Sequence, residues 1–271
     1  MSGVTEIRAG LPPRGGAAWW RRWAGRALPG PRATPFTFWY ALLLVATSLF
    51  AAYADPARVA ELLRGSSTDA AHLAATPVRV LVASALWIDG GVLSGFALAF
   101  VVVLAALERR VGAARTLAVF LGGHVLATLA TELPVGAAVA TGALPPGAAH
   151  RLDYGISYGV MTCAGALAGV VAGRLRWPLL GGAACYATAD LLSFTDPLSS
   201  GGHLLSLALG VAAWPLLRRA RSGPRPARLH GDLGHPALRR TAGRAVVARA
   251  VPVPGRPVPG RPVPVAGVRR R

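Results

Sequence analysis

Long apolar runs, separated by short stretches rich in Arg, Pro and Gly, follow one another along most of this chain. A helix needs about 20 mostly apolar residues to cross the hydrocarbon core of a bilayer. Six runs reach or approach that length, and the pattern therefore predicts an all-α membrane protein with six transmembrane helices, numbered here as spans one to six. The runs lie at 36–53, 78–97 (extended to 107), 116–133, 154–173, 178–194 and 197–217.

The second run is too long for one straight span, because it continues for about thirty residues, well beyond the roughly 20 that a bilayer requires. Trp87, Asp89 and the Gly90-Gly91 pair interrupt it. We therefore expect its first third to form a re-entrant or interfacial stretch.

Arginine is distributed unevenly between the two sides of the predicted membrane. If the N-terminus is inside, the segments left in the cytoplasm carry 25 of the 29 basic residues. Basic loops are retained on the cytoplasmic side. We expect a multi-pass protein of the cell membrane with both termini cytoplasmic. The cytoplasmic segments would be 1–35, 108–115, 174–177 and 218–271.

Composition divides the chain into a basic cytoplasmic segment at 1–35, a membrane domain at 36–217 and a cytoplasmic tail at 218–271. The tail is rich in Pro, Gly and Arg, which predicts disorder. A net charge of +18 favours anionic lipid head groups as partners of the two basic ends, and not nucleic acid, because the arginines flank apolar spans. Basic residues that are all arginine suggest a high-GC bacterium as the source.

No metal or cofactor is predicted, since both cysteines fall inside apolar runs without the close spacing of a metal site.

Two polar residues inside the apolar runs point to chemistry. Ser157 begins span four between glycines, and His203 lies near the start of span six. Both spans start from the external side in the predicted topology, so a hydroxyl and an imidazole would lie at similar depth, as a nucleophile and its general base do. The alternative is that Ser157 packs among small residues and His203 bonds a neighbouring carbonyl.

Glycines repeat along span four, which indicates a central helix that its neighbours approach closely. Gly155, Tyr158 and Gly159 surround the serine and are candidates for an oxyanion pocket, since glycine lets backbone N–H groups approach a developing oxyanion.

These features resemble the rhomboid family of intramembrane serine proteases, over residues 78–214. Gly155-Ile-Ser157 is similar to the family's motif at the start of the fourth span, and His203 to its histidine in the sixth. The resemblance implies a six-transmembrane-helix rhomboid-like bundle in which Ser157 and His203 cleave transmembrane or juxtamembrane segments of other membrane proteins at the outer face. Further family-like positions are Arg79, Glu108, Gly112, Arg115, Ser206 and Gly210.

The chain departs from the family pattern around this pair. Val92 and Phe96 occupy the positions where the family carries a His and an Asn that help to hold the oxyanion, Tyr158 replaces a glycine, and Met161 replaces a tyrosine. Ser94 and Tyr158 are candidate substitutes for the oxyanion donors. Two hypotheses follow: a serine endopeptidase, and a catalytically inactive rhomboid-like protein that binds transmembrane segments of partners.

Two other polar residues in the spans, His124 and Asp190, are expected to make hydrogen bonds between helices. They are candidates to pair with each other. A small transporter is a third hypothesis, but it would call for more intramembrane charge or an inverted repeat. Asp153 and Tyr154 would shape the access to a site from outside.

Overall fold

The computed structural model describes residues 28–222, and within them the chain forms helices and no strands. It also contains a π-helical turn at Phe100–Leu104 and a 3-10 turn at Pro146–His150. The helices are α1 (Pro35–Tyr53), α2 (Pro56–Gly65), α3 (Ala70–Ala75), α4 (Pro77–Ser84), α5 (Gly95–Ala99), α6 (Ala105–Val111), α7 (Ala113–Ala140), α8 (Ser157–Val170), α9 (Gly173–Leu192), α10 (Pro197–Ala212) and α11 (Trp214–Ser222).

Three helical stretches in this part of the chain are long and apolar enough to cross a membrane. They are Pro35–Tyr53, Ala113–Ala140 and Pro197–Arg219, which correspond to predicted spans one, three and six. α8 is apolar but has only 14 residues. The predicted count of six spans is therefore not confirmed by length and composition.

The predicted second span is interrupted where its sequence indicated. α4 ends at Ser84, and the chain turns through Gly90 and Gly91, whose φ angles of 73° and 72° favour glycine, before α5 begins at Gly95. The stretch from α5 through the π turn to α6 then runs continuously to Val111. The predicted second span is thus divided into two helical stretches, and the longer one starts at Gly95.

Two helices begin with a proline that follows a residue whose side chain caps the first turn. Asp55 accepts hydrogen bonds from Ala57 and Arg58 at the start of α2, and Asp196 accepts one from Ser199 at the start of α10. Proline is suited to the first helical position because its missing N–H would have no partner there. These local signals set where the helices begin.

α8 is the central helix, as the glycine spacing predicted. Every residue of α8 after Ser157 is buried, and its closest neighbours are α10 and α7. Gly165 lies directly against the backbone of Leu207, and Gly210 lies against the carbonyl of Thr162, so neither position has room for a Cβ atom. The two helices thus cross in backbone contact, as small residues allow.

The start of α1 is held by a buried carboxylate from α6. Glu108 accepts hydrogen bonds from the backbone N–H groups of Phe36 and Thr37, at 2.9 and 2.8 Å, and from the Thr37 hydroxyl at 2.6 Å. Gly112 follows with a φ of 88°, which turns the chain from α6 into α7. Glu108, one of the family-like positions, therefore caps the first helix.

The tail, for which disorder was predicted, lies outside the described residues except at its start. Most of the basic N-terminal segment lies outside them as well. Within the described part, α11 continues to Ser222, past the predicted end of span six at Leu217.

Candidate functional site

Ser157 is the first residue of α8 and is half-buried. The turn before it depends on Gly155, whose φ of 126° is available to glycine and whose N–H donates to the carbonyl of Ser84 at 3.0 Å. The first hydrogen bond of α8 runs from Val160 N to the carbonyl of Ile156. The N–H groups of the residues between, Ser157 included, precede the helical ladder and point to no intrahelical acceptor.

His203 lies in the second turn of α10, and its side chain is only 8% exposed. Two aromatic rings pack against the imidazole: Phe96, with ring centroids 5.0 Å apart, and Tyr158, edge-on at 5.6 Å. Both are positions at which the chain departs from the pattern of the resembled family. The substituted side chains are therefore gathered around the histidine and restrict the rotation of its ring.

Asp190 of α9 faces the same imidazole. Its Oδ2 atom lies 3.6 Å from His203 Nδ1, and the hydroxyl of Ser200 lies 2.6 Å from that oxygen. The expected pairing of Asp190 with His124 is wrong. His124 Nε2 instead lies 3.1 Å from the Ser84 hydroxyl and 3.1 Å from a carbonyl of α4, because α7 packs this face on α4 and not on α9.

The predicted nucleophile and base lie on adjacent helices, but no hydrogen bond connects them in the part of the chain that the structure describes. Tyr158, which follows Ser157, contacts His203 directly. Among residues 28–222, however, no hydrogen bond links Ser157 to His203, and His203 Nδ1 has no hydrogen-bond partner. A catalytic hydrogen bond is often long in an unliganded enzyme and tightens in its complex with substrate.

The family model described as rhomboid-like protein matches residues 31–223. The chain belongs to the rhomboid-like family. No curated protein and no solved structure matches it. The family and the apolar helices together indicate a membrane protein.

The candidate oxyanion donors of this rhomboid-like protein differ in their surroundings. The Tyr158 hydroxyl is buried without a hydrogen-bond partner in the described part of the chain, and it lies against Gly202. Ser94 Oγ accepts the N–H of Ala97 and so caps α5. Val92 is 42% exposed in the turn before that cap. Tyr158 is the candidate with the closest contact to His203.

The other predicted residues, the pocket candidate Gly159 among them, differ in burial and contacts. Arg115 donates to the carbonyl of Val111 at 3.0 Å, Ser206 is buried on α10, and Gly159 lies against the ring of Phe120. Arg79 is exposed on α4.

One cluster at this end of the bundle was missed by the sequence analysis. Arg151 pairs with Glu132 of α7, with Asp196 at the start of α10 (2.9 Å) and with Asp153 (3.5 Å), just before the Ser157 turn. Burial raises the pKa of Asp153, although the neighbouring Arg151 opposes this. Burial acts in the same direction on Asp196, but hydrogen bonds from Ser199 and the charge of Arg151 outweigh it and lower the pKa.

An apolar cavity of about 400 Å³ lies beside the site, between α5, α8 and α9. Phe96 and Met161, two of the departures from the family pattern, line it together with Tyr186 and Gly182. Phe96 therefore both packs against the imidazole of His203 and lines this cavity.

Proposed function

We propose that this rhomboid-like protein is an intramembrane serine endopeptidase that uses Ser157 as nucleophile and His203 as general base and then general acid. Its substrates would be transmembrane or juxtamembrane segments of other membrane proteins, cut near the outer face, with both termini of the protein in the cytoplasm and its basic ends against anionic lipid. The observation that supports the proposal most is the contact between the start of α8 and a buried, Asp190-paired histidine on α10.

The chemistry follows from what each group can supply. His203 would take the proton of the Ser157 hydroxyl as the oxygen attacks the scissile carbonyl, and would return a proton to the leaving amine. The N–H groups of Ser157 and Tyr158, which have no helical acceptor, would donate to the oxyanion. Each missing donor costs about 2.7–4 kcal/mol of transition-state stabilisation. With Val92 and Phe96 at the family's donor positions, we expect slow turnover.

A fluorophosphonate probe tests the proposal, because it labels only an activated serine. The purified protein in detergent should be labelled, and Ser157→Ala and His203→Gln should each abolish the label. Ser48→Ala is the matched control, since Ser48 lies on α1 and its hydroxyl has no hydrogen-bond partner in the described part of the chain, so labelling should be unchanged. Absence of labelling in the unmodified protein, where another rhomboid protease reacts, would refute the proposal.

A second function is favoured by the cavity between α5, α8 and α9. A catalytically inactive protein would use this apolar space to hold a side chain of a partner's transmembrane segment, without cleavage. Filling the cavity with Gly182→Leu should then reduce crosslinking to the partner from a photoreactive group at Ala183, even when Ser157 is alanine. Gly181→Leu is the control, because Gly181 does not line the cavity.

A further inference from the structure

We propose that Asp190 is a positioning residue for His203. Its carboxylate would hold the N–H of Nδ1 and so leave Nε2 as the proton acceptor. This inference rests on the proposed function of His203 as a base, and it adds a third group to the Ser157 and His203 pair.

The geometry of the α9 to α10 hairpin supports this assignment. Asp190 is two residues from the end of α9, a short connection at 193–196 follows, and His203 lies in the second turn of α10. This return of the chain brings Asp190 Oδ2 to 3.6 Å from His203 Nδ1. The separation is slightly longer than a hydrogen bond, and a small rotation of either side chain would close it.

The carboxylate has its own support. Ser200 precedes His203 by three residues and therefore lies on the same face of α10. Its hydroxyl is 2.6 Å from Asp190 Oδ2 and 2.9 Å from the carbonyl of Asp196, so its one proton can be given to either oxygen. Ser200 is buried. A hydrogen bond from this hydroxyl would fix the oxygen that faces the imidazole.

An acceptor at Nδ1 decides which nitrogen of a neutral imidazole carries the proton. With Asp190 beside Nδ1, the proton resides there and Nε2 keeps its lone pair. When Nε2 takes the proton of the Ser157 hydroxyl, Nδ1 keeps its own, and Asp190 remains a carboxylate beside the imidazolium. The rings of Phe96 and Tyr158 limit the rotation that would exchange the two nitrogens.

The tautomer of His203 can be measured without any activity. In protein carrying ¹⁵N-labelled histidine, with the signal assigned by its loss in His203→Gln, the unmodified protein should show the Nδ1–H form. Asp190→Asn should convert part or all of the His203 imidazole to the Nε2–H form. It should also slow fluorophosphonate labelling by about 100-fold, which is within the rate contribution of a general base. Asp190→Glu should restore the tautomer and much of the rate.

Two further variants separate this role from a general loss of structure. Ser200→Ala keeps the carboxylate but removes its support, and should slow labelling less than Asp190→Asn does. Asp89→Asn removes an exposed carboxylate outside this contact and should leave the tautomer and the rate unchanged. If Asp190→Asn does not fold, Asp190→Glu and Ser200→Ala still test the assignment.

The outcomes distinguish the two proposals. A tautomer that depends on Asp190 in a protein that no probe labels would support the positioning role and refute the protease. An Nε2–H tautomer in the unmodified protein would overturn the positioning role. Labelling and a tautomer that are both unchanged in Asp190→Asn would overturn it as well, while leaving Ser157 and His203 as the catalytic pair.

Discussion

Arg151 donates a hydrogen bond to Glu132, a residue of α7 whose side chain is completely buried. The same guanidinium reaches Asp196 at the start of α10, 2.9 Å away. The segment that leads into Ser157 is thereby tied to α7 and to the helix that carries His203. A single arginine thus joins three separate parts of the chain next to the candidate site.

Replacement of Arg151 by Met should destabilise the protein strongly. The change leaves the buried carboxylate of Glu132 without its partner, and an uncompensated buried charge typically costs about 3–5 kcal/mol. The midpoint of thermal unfolding in detergent should fall accordingly. Arg58→Met is the control, because Arg58 is exposed on α2.

The double variant Arg151→Met with Glu132→Leu should recover much of that loss, since it removes both charges together. Equal unfolding midpoints for the double variant and for Arg151→Met alone would contradict the buried-charge explanation. A similar loss in Arg58→Met would do the same.

Glu108→Ala should release the start of α1 from α6. The carboxylate accepts three hydrogen bonds from Phe36 and Thr37, and hydrogen bonds to a charged group contribute about 1.5–3 kcal/mol each without adding fully. We expect a loss of about 3 kcal/mol in the free energy of unfolding, together with faster proteolysis near residue 35.

Glu108→Gln keeps one acceptor oxygen and should lose less. Glu61→Ala serves as the matched control, because Glu61 is exposed on α2. Cleavage near residue 35 at the same rate in both alanine variants would show that Glu108 does not hold α1.

The sequence predicted features that depend on residues close together in the chain, such as turns and closely packed helix faces. The interruption near Gly90 and Gly91 could be predicted because glycine marks turns, and the burial of α8 because glycines repeat at helical spacing. The exact ends of spans were less predictable. α9, for example, begins at Gly173 and includes two arginines before its apolar run.

The arrangement of the candidate site could not be predicted from the spacing of residues in the sequence, because it depends on contacts between distant segments. The sequence suggested His124 as the partner of Asp190, whereas the packing of α9 against α10 brings Asp190 to His203. Arg151 lies 19 residues after Glu132 and 45 residues before Asp196, so no local pattern joins them. The resemblance to rhomboids marked Phe96 and Tyr158 as departures, but their packing on the imidazole required the fold.

The crossing of α8 and α10 gives the most direct test of the packing beside the site. A Cβ atom at Gly165 would overlap the carbonyl of Leu207, and one at Gly210 would overlap that of Thr162. Because backbone atoms cannot move aside as a flexible side chain can, Gly165→Ala and Gly210→Ala should each cost about 1–3 kcal/mol or more.

Gly181→Ala provides the control for this crossing, since Gly181 lies in α9 with no atom near its Cβ position. Alanine is the better helix former, so this change should leave the unfolding midpoint unchanged or raise it slightly. If Gly165→Ala and Gly181→Ala unfold at the same temperature, the two helices do not meet in backbone contact. Loss of stability at both Gly165 and Gly210, together with slower labelling of Ser157, would instead tie the proposed chemistry to this crossing, because the same two helices carry Ser157 and His203.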